Sequence, residues 1–305
     1  MGSPPFEFLV GVERTAFHVH SSLAIHLSPV FAVLIQGHML EAIEKRAVLD
    51  DIDVDTFVRF CEYAYTGDYS VPQPTICQAP HPSPLLQTDT QDSNDNSKSN
   101  AVSQKPETEK APPPDSNPRS KQLISRSISW LTGRNNKKKP CTPSCKLRNP
   151  ASGVIASLPD PDSKLGVTWS KFRASSTGWN GPVFQPYRNI LPSESFTEVL
   201  LCQARLYVFG DRYDIKPLRL LIVYKIRRTL SVLKIFPERV PEIFQLVAYV
   251  YENTVEGDDL RMLVLQYTAC MTIVLMADAD WDAFISEQPT FARELLAYLS
   301  NLEQN

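Results

Sequence analysis

Two histidines, two cysteines and a run of carboxylates are the residues whose types and spacing could do chemistry in this sequence. His18 and His20 stand two positions apart, so on a β-strand they share a face, as two ligands of one metal ion would. No cysteine and no acidic pair stands at ligand spacing beside them. We therefore favour packing and strand-end hydrogen bonds over metal binding for this pair.

The cysteines and the carboxylates also have simpler explanations. Cys141 and Cys145 have the spacing of half a zinc site, but the other half is missing, so an exposed, oxidisable pair is favoured. The carboxylates of residues 50–55 could form an acid–base pair, but a helix cap at Asp53 accounts for them better. We find no G-x-S-x-G, phosphate-binding glycine loop or H-E-x-x-H motif. The sequence thus predicts no catalytic residue, no metal site and no cofactor, and hence no enzyme.

A basic segment at residues 119–148 is the strongest remaining candidate, with nine Lys and Arg residues and no acidic one. Within it, Ile124, Ile128 and Leu131 recur at helical spacing, so this stretch could fold on a partner groove or an anionic membrane surface. Lys137–Lys139 could equally serve a nuclear import receptor, and a solvated linker remains an alternative. Specific nucleic-acid binding is not expected from one basic cluster. The candidate residues are Arg126, Trp130, Arg134, Lys137, Lys138 and Lys139.

Two serines next to Arg126 are candidate phosphorylation sites, namely Ser127 and Ser129. A phosphate there would cancel part of the segment's positive charge.

The composition is uneven along the chain, which separates folded from unfolded parts. Of 25 prolines, 18 fall within residues 72–192, where 16 basic residues face 8 acidic ones. Residues 1–71 carry 4 basic and 10 acidic residues, and residues 193–305 carry 11 and 16. We therefore expect two acidic folded pieces joined by a basic, disordered insert at 72–192, of which 165–192 is partly ordered.

The first 71 residues alternate between strand and helix patterns. Residues 6–10 and 16–20 read as a β-hairpin, and 47–49 as a third strand. Ser28 before Pro29 marks a helix start, as Asp53 does for the next helix, which Gly67 ends. We expect its apolar stripe to comprise Phe57, Phe60, Cys61, Ala64 and Tyr65.

The remainder of the chain is predicted to be helical. Helix patterns cover residues 197–213, 217–234, about 241–253, from Asp258 or Asp259 to about Met276, and from about Pro289 to Leu302. Cys61, Cys202 and Cys270 fall within apolar helical patterns, which is typical of reduced core thiols in a cytosolic or nuclear protein. No apolar run is long enough to cross a bilayer, so we predict no transmembrane segment.

Several strings together resemble the BTB/POZ domain in the form common in filamentous fungi. They are FLVG, AFHVHSSLAIHLSPVF, VLDDIDVDTFVRFCEYAYTGDY and QARLYVFGDRYDIKPLRLLIVYKI. On this resemblance His20 is the family's histidine after the second strand, and residues 65–69 are its hallmark turn. Ser28, Pro29 and Phe31 match the family's Ser-Pro-x-Phe helix start.

The resemblance implies an α+β fold, with a small three-stranded sheet and a helical cluster. The domain would consist of residues 6–71 and the closing helices at 193–235, interrupted by the insert, with an all-helical extension at 236–305. It further implies binding of proteins, by self-association or to a cullin of a ubiquitin ligase. Because five residues precede Phe6, we do not expect the domain-swapped homodimer of long-form BTB domains.

The resemblance also places a partner-binding surface on the helix that Asp53 begins. Its candidate residues are Asp51, Asp53, Asp55, Arg59 and Glu62. We expect a non-catalytic scaffold or adaptor, intracellular and either cytoplasmic or nuclear. The alternative is a regulatory or targeting scaffold whose basic insert is the active element.

Overall fold

The structure is a computed structural model, and it describes residues 3–77, 158–175 and 178–304. A three-stranded sheet forms its N-terminal part. Its strands are β1 (Pro5–Val10), β2 (Thr15–His20) and β3 (Arg46–Leu49). The central strand β1 pairs antiparallel with β2 and parallel with β3. Phe6, Phe8 and Val10 are buried, because alternate side chains of a strand point to the same face. The predicted hairpin and three-stranded sheet are confirmed.

Four helices pack beside this sheet. They are α1 (Ser21–Leu27), α2 (Pro29–Gln36), α3 (Leu40–Glu44) and α4 (Val54–Thr66). The Ser28 hydroxyl accepts a hydrogen bond from the Phe31 amide at 3.0 Å, and an Asp53 oxygen accepts one from the Thr56 amide at 2.8 Å. Gly67 ends α4 with a φ of 77°, a conformation that glycine adopts without strain. The predicted caps therefore act as local signals for α2 and α4.

The described parts of the predicted insert contain regular structure near both ends. Strand β4 (Thr75–Ile76) pairs antiparallel with β5 (Glu194–Ser195), and helix α5 (Lys164–Ala174) lies between them in sequence. Ser163 caps α5 by accepting from the Gly166 amide at 3.0 Å. On the buried side of α5, Trp169 stacks on Phe172 at 5.4 Å between ring centroids.

Helices make up the rest of the chain. They are α6 (Thr197–Arg212), α7 (Lys216–Val232), α8 (Val240–Asn253), α9 (Asp259–Cys270), α10 (Thr272–Met276), α11 (Trp281–Glu287) and α12 (Pro289–Gln304). The helix predicted from Asp258 to Met276 is in fact two, which meet at Met271. Within the described ranges, no helix is both long and apolar enough to cross a membrane.

One aromatic cluster joins the N-terminal elements to α6. Phe31 of α2 stacks on Tyr213 at 4.5 Å between ring centroids, and Phe60 of α4 lies 5.0 Å from Phe209. All four side chains are buried. Residues on both sides of the predicted insert thus share one core, whose burial favours folding of the two parts together.

A single buried hydroxyl strengthens the same junction. Ser28 caps α2 and also donates to the carbonyl of Tyr213 at 2.6 Å. We expect Ser28→Ala to lower the free energy of unfolding by about 2 kcal/mol, because it removes a cap and leaves a buried carbonyl without this donor. Urea unfolding followed by circular dichroism measures the change. Ser22→Ala, which removes an exposed hydroxyl of α1, is the control, and equal effects of the two substitutions would contradict the prediction.

Candidate functional site

The outer side of α4 carries both charged and apolar residues. Asp55, Val58, Arg59, Glu62 and Tyr65 recur at three- and four-residue spacing and so lie on one side of the helix, which we call the α4 face. Val58 and Tyr65 are the large apolar residues of this face. Val58 is 37% exposed and Tyr65 is 51% exposed.

The opposite side of α4 is held by the core. Phe57, Phe60, Tyr63 and Ala64 are buried there. Tyr65, predicted as a member of this apolar stripe, instead lies on the exposed side. Its hydroxyl is 2.7 Å from Nδ1 of His20 and accepts from the His20 amide at 3.2 Å. His20 and Tyr65 therefore meet at the end of β2, and this contact orients the exposed tyrosine ring.

Arg59 and Glu62 bind the chain segment that follows the α4 turn. Arg59 donates from Nε to the carbonyl of Ser70 at 3.2 Å, and Glu62 accepts from the Ser70 amide at 2.7 Å. Arg59 also donates to the carbonyl of Asp55 at 2.9 Å. These two charged groups thus hold residue 70 beside α4 while remaining partly exposed.

The two aspartates at the start of α4 face helix α6. Asp51 forms an ion pair with Arg212, and Asp53 lies 3.9 Å from Nε of Arg205. Asp55 differs from them, because within the described part of the chain its carboxylate forms no hydrogen bond and no ion pair. Of the five predicted partner-binding residues, the structure therefore places Asp55, Arg59 and Glu62 on the α4 face and engages Asp51 and Asp53 with α6.

The turn after α4 is anchored by a buried lysine. Lys225 of α7, whose side chain is 3% exposed, donates to the carbonyl of Tyr69 at 2.7 Å and forms an ion pair with Asp68. Its ammonium also lies 5.0 Å from the ring centroid of Phe184. Burial lowers the pKa of Lys225, against the opposing effect of Asp68. The turn, α7 and the segment around residue 184 are thereby connected by one cation.

The predicted sites of the basic segment lie outside the described residues. They are Arg126, Ser127, Ser129, Trp130, Arg134, Lys137, Lys138 and Lys139, together with the cysteine pair Cys141 and Cys145.

The other candidate groups that the structure describes, a histidine and three cysteines, show no arrangement that would give them a chemical role. His18 is exposed, with Nε2 3.8 Å from a Glu7 oxygen, and no group of three or more potential metal ligands occurs among the residues described. Burial raises the pKa of Cys61 and of Cys202 to about 11, and that of Cys270 to about 12. These three thiols are therefore protonated near neutral pH and poor nucleophiles.

Sequence comparison assigns the first part of this arrangement to a family. Residues 6–88 match the family model of the BTB/POZ domain, a range that includes the sheet, α1–α4 and the turn after α4. No curated protein matches the sequence. The matched range folds into the three-stranded sheet and the helices described above. The match shows that the chain carries a BTB/POZ domain, a protein–protein interaction module.

Proposed function

We propose that the chain is a non-catalytic scaffold or adaptor whose α4 face binds a cullin of a ubiquitin ligase. The observation that carries the proposal is the exposure of Val58 and Tyr65 on one side of α4, whose opposite side is buried in the core. Asp55 and Glu62 flank them with carboxylates. An apolar centre with a charged rim is the usual composition of a protein interface, and tyrosine is frequent among the residues that dominate binding energy.

The internal contacts of the α4 face also support the proposal. Its helix rests on buried aromatic residues, Tyr65 contacts His20, and Arg59 and Glu62 are hydrogen-bonded to the backbone of Ser70. A surface already in its binding conformation loses little conformational entropy when a partner docks.

We further propose that α6 and α7 complete the BTB/POZ domain. The shared aromatic cluster, the Asp51–Arg212 ion pair and the contacts of Lys225 with the α4 turn support this extension beyond residue 88. The helices from α8 onward would then extend the docking surface past the domain itself.

Substitution of Val58 tests the cullin proposal. We expect Val58→Glu to weaken cullin binding at least tenfold, because it places a charge at the centre of the contact. Binding of the purified full-length chain to a purified cullin N-terminal region, measured by biolayer interferometry, provides the readout. Val12→Glu, at an 81% exposed position in the β1–β2 turn, is the matched control.

The outcomes of that measurement separate the parts of the proposal. If the unsubstituted chain binds no cullin, the cullin assignment is wrong. If Val58→Glu and Val12→Glu bind the cullin as well as the unsubstituted chain does, the cullin assignment is retained but the α4 face is not the contact surface.

The alternative, a scaffold that is targeted through its insert, is supported by the excess of basic residues in 72–192, with 16 Lys and Arg against 8 Asp and Glu. A variant with residues 79–156 replaced by a flexible linker keeps β4 and the Ser163 cap of α5. Unchanged cullin binding by this variant supports the adaptor. The alternative is favoured if the unsubstituted chain binds no cullin and the linker variant loses an association with membranes, the nucleus or another partner.

A further inference from the structure

A cavity of about 420 Å³ lies between α5, α7 and the segment that precedes β5. Its lining residues are Ser170, Arg173, Ala174, Arg188, Arg228, Ser231 and Val232. Three of these seven are arginines, and they come from three separate stretches of the chain. We call this cavity the arginine pocket. It lies apart from the α4 face, since none of its lining residues belongs to α4.

The positive charge of the arginine pocket is not balanced by carboxylates. Among the residues described, no carboxylate oxygen lies within 4.0 Å of a guanidinium nitrogen of Arg173, Arg188 or Arg228. Two other arginines do have carboxylate partners, since Arg219, also on α7, pairs with Asp211 and Arg239 pairs with Glu242. Three unpaired cations that converge on one cavity repel each other, and an anion bound between them would remove that repulsion.

The three arginines of the pocket differ in exposure. Arg173 and Arg188 are exposed, whereas Arg228 is partly buried and its Nε atom is shielded from solvent. That atom therefore does not face the pocket, and a ligand would contact the solvent-accessible guanidinium nitrogens instead.

The walls of the pocket are held in place by other contacts. Asn189, next to Arg188, donates to the carbonyl of Lys234 at 2.7 Å and accepts from the Lys234 amide at 2.8 Å, which fixes this segment to the end of α7. Trp169 and Phe172 hold α5 against Tyr267 of α9, at 6.2 and 5.9 Å between ring centroids. These contacts fix the backbone from which the arginines extend, so little backbone entropy is lost when an anion binds.

We propose that the arginine pocket binds a phosphate monoester. The planar guanidinium fork matches phosphate oxygens in pairs, and a phosphate monoester carries nearly two negative charges at neutral pH. Ser170 and Ser231 offer hydroxyl groups beside the arginines, whereas none of the described residues that line the cavity has an aromatic ring on which a nucleobase could stack. The ester is either a free small molecule or a phosphorylated side chain of a polypeptide.

Thermal unfolding of the full-length chain in inorganic phosphate tests the pocket. We expect Tm to rise with phosphate concentration and to saturate, relative to chloride at equal ionic strength, because a ligand that binds the folded state stabilises it. Arg188→Gln and Arg173→Gln, both at exposed positions, should each raise the apparent Kd for phosphate at least fivefold. Arg293→Gln, an exposed arginine of α12 outside the pocket, should leave the Kd unchanged.

The outcomes decide both the site and the source of the ester. The proposal is overturned if the Tm of the unsubstituted chain does not rise with phosphate or does not saturate. It is also overturned if all three variants lose affinity for phosphate equally. Binding to vesicles of anionic phospholipid without binding to phosphate overturns it as well. Once phosphate binds, titration with O-phosphoserine and with a phosphoserine peptide separates the sources, since much tighter binding of the peptide identifies a polypeptide.

Discussion

Replacement of Phe31 by alanine is expected to lower the free energy of unfolding by about 3–5 kcal/mol, the usual cost of truncating a buried phenylalanine. The Phe31 ring is fully buried, 5.2 Å from the ring of Phe8 and 5.6 Å from that of Phe60, between centroids. It also stacks on Tyr213 at 4.5 Å. The substitution would therefore leave a cavity where sheet, α2, α4 and α6 meet. Urea unfolding of the full-length chain, followed by circular dichroism and tryptophan fluorescence, measures the loss.

Val33→Ala is the matched control, because Val33 lies on the same helix but is 62% exposed. Its effect should stay below about 0.5 kcal/mol. A loss under 1 kcal/mol for Phe31→Ala would contradict the packing described for the core. Two separate transitions, one of which Phe31→Ala leaves unchanged, would contradict the proposal that α6 and α7 complete the BTB/POZ domain.

Much of the secondary structure follows from local signals in the sequence. Ser28, Asp53 and Asp258 begin helices by accepting hydrogen bonds from amides two or three residues later, so their positions are readable without tertiary structure. Helix α3 lacks such a signal, since it has five residues, no side-chain cap at Met39 and no buried residue. The break at Met271 has no glycine or proline beside it, and so a continuous helix was predicted there.

The candidate sites depended on contacts that sequence spacing does not encode. The sequence predicts Asp51 on a partner surface but does not predict its ion pair with Arg212, which lies far along the chain. Tyr65 has the apolar character of a core residue, but it lies on the exposed side of α4, where its hydroxyl contacts His20. Val58 is not among the residues that the sequence analysis names, although it follows Asp55 by three residues and helical spacing places the two on one face.

A buried ion pair is the main polar connection among the C-terminal helices. Arg261 of α9 donates from Nε to Glu294 of α12 at 3.2 Å, and a second guanidinium nitrogen contacts the other carboxylate oxygen. Tyr251 of α8 donates to the same carboxylate at 2.9 Å, and its ring lies 4.2 Å from the Arg261 guanidinium carbon. Burial acts to lower the pKa of Arg261, but the hydrogen bond and charge of Glu294 outweigh it, and this pKa lies above its ordinary value. The carboxylate thus compensates a cation that the fold has removed from water.

Glu294→Ala is therefore expected to lower the free energy of unfolding by about 3 kcal/mol, because it leaves the Arg261 cation buried without its counter-charge. The Arg261 side chain is 7% exposed and that of Glu294 is 15% exposed, so water can replace little of the lost interaction. The double variant Arg261→Met and Glu294→Met should recover most of the stability, since replacing both partners with apolar side chains leaves no unpaired charge. Glu303→Ala, at an exposed position of the same helix, is the control, and urea unfolding measures all three variants. If Glu294→Ala costs no more than Glu303→Ala, the pair does not hold α9 and α12 together. A double variant as unstable as Glu294→Ala would instead locate the loss in the tyrosine contact, since Tyr251 loses its acceptor in both.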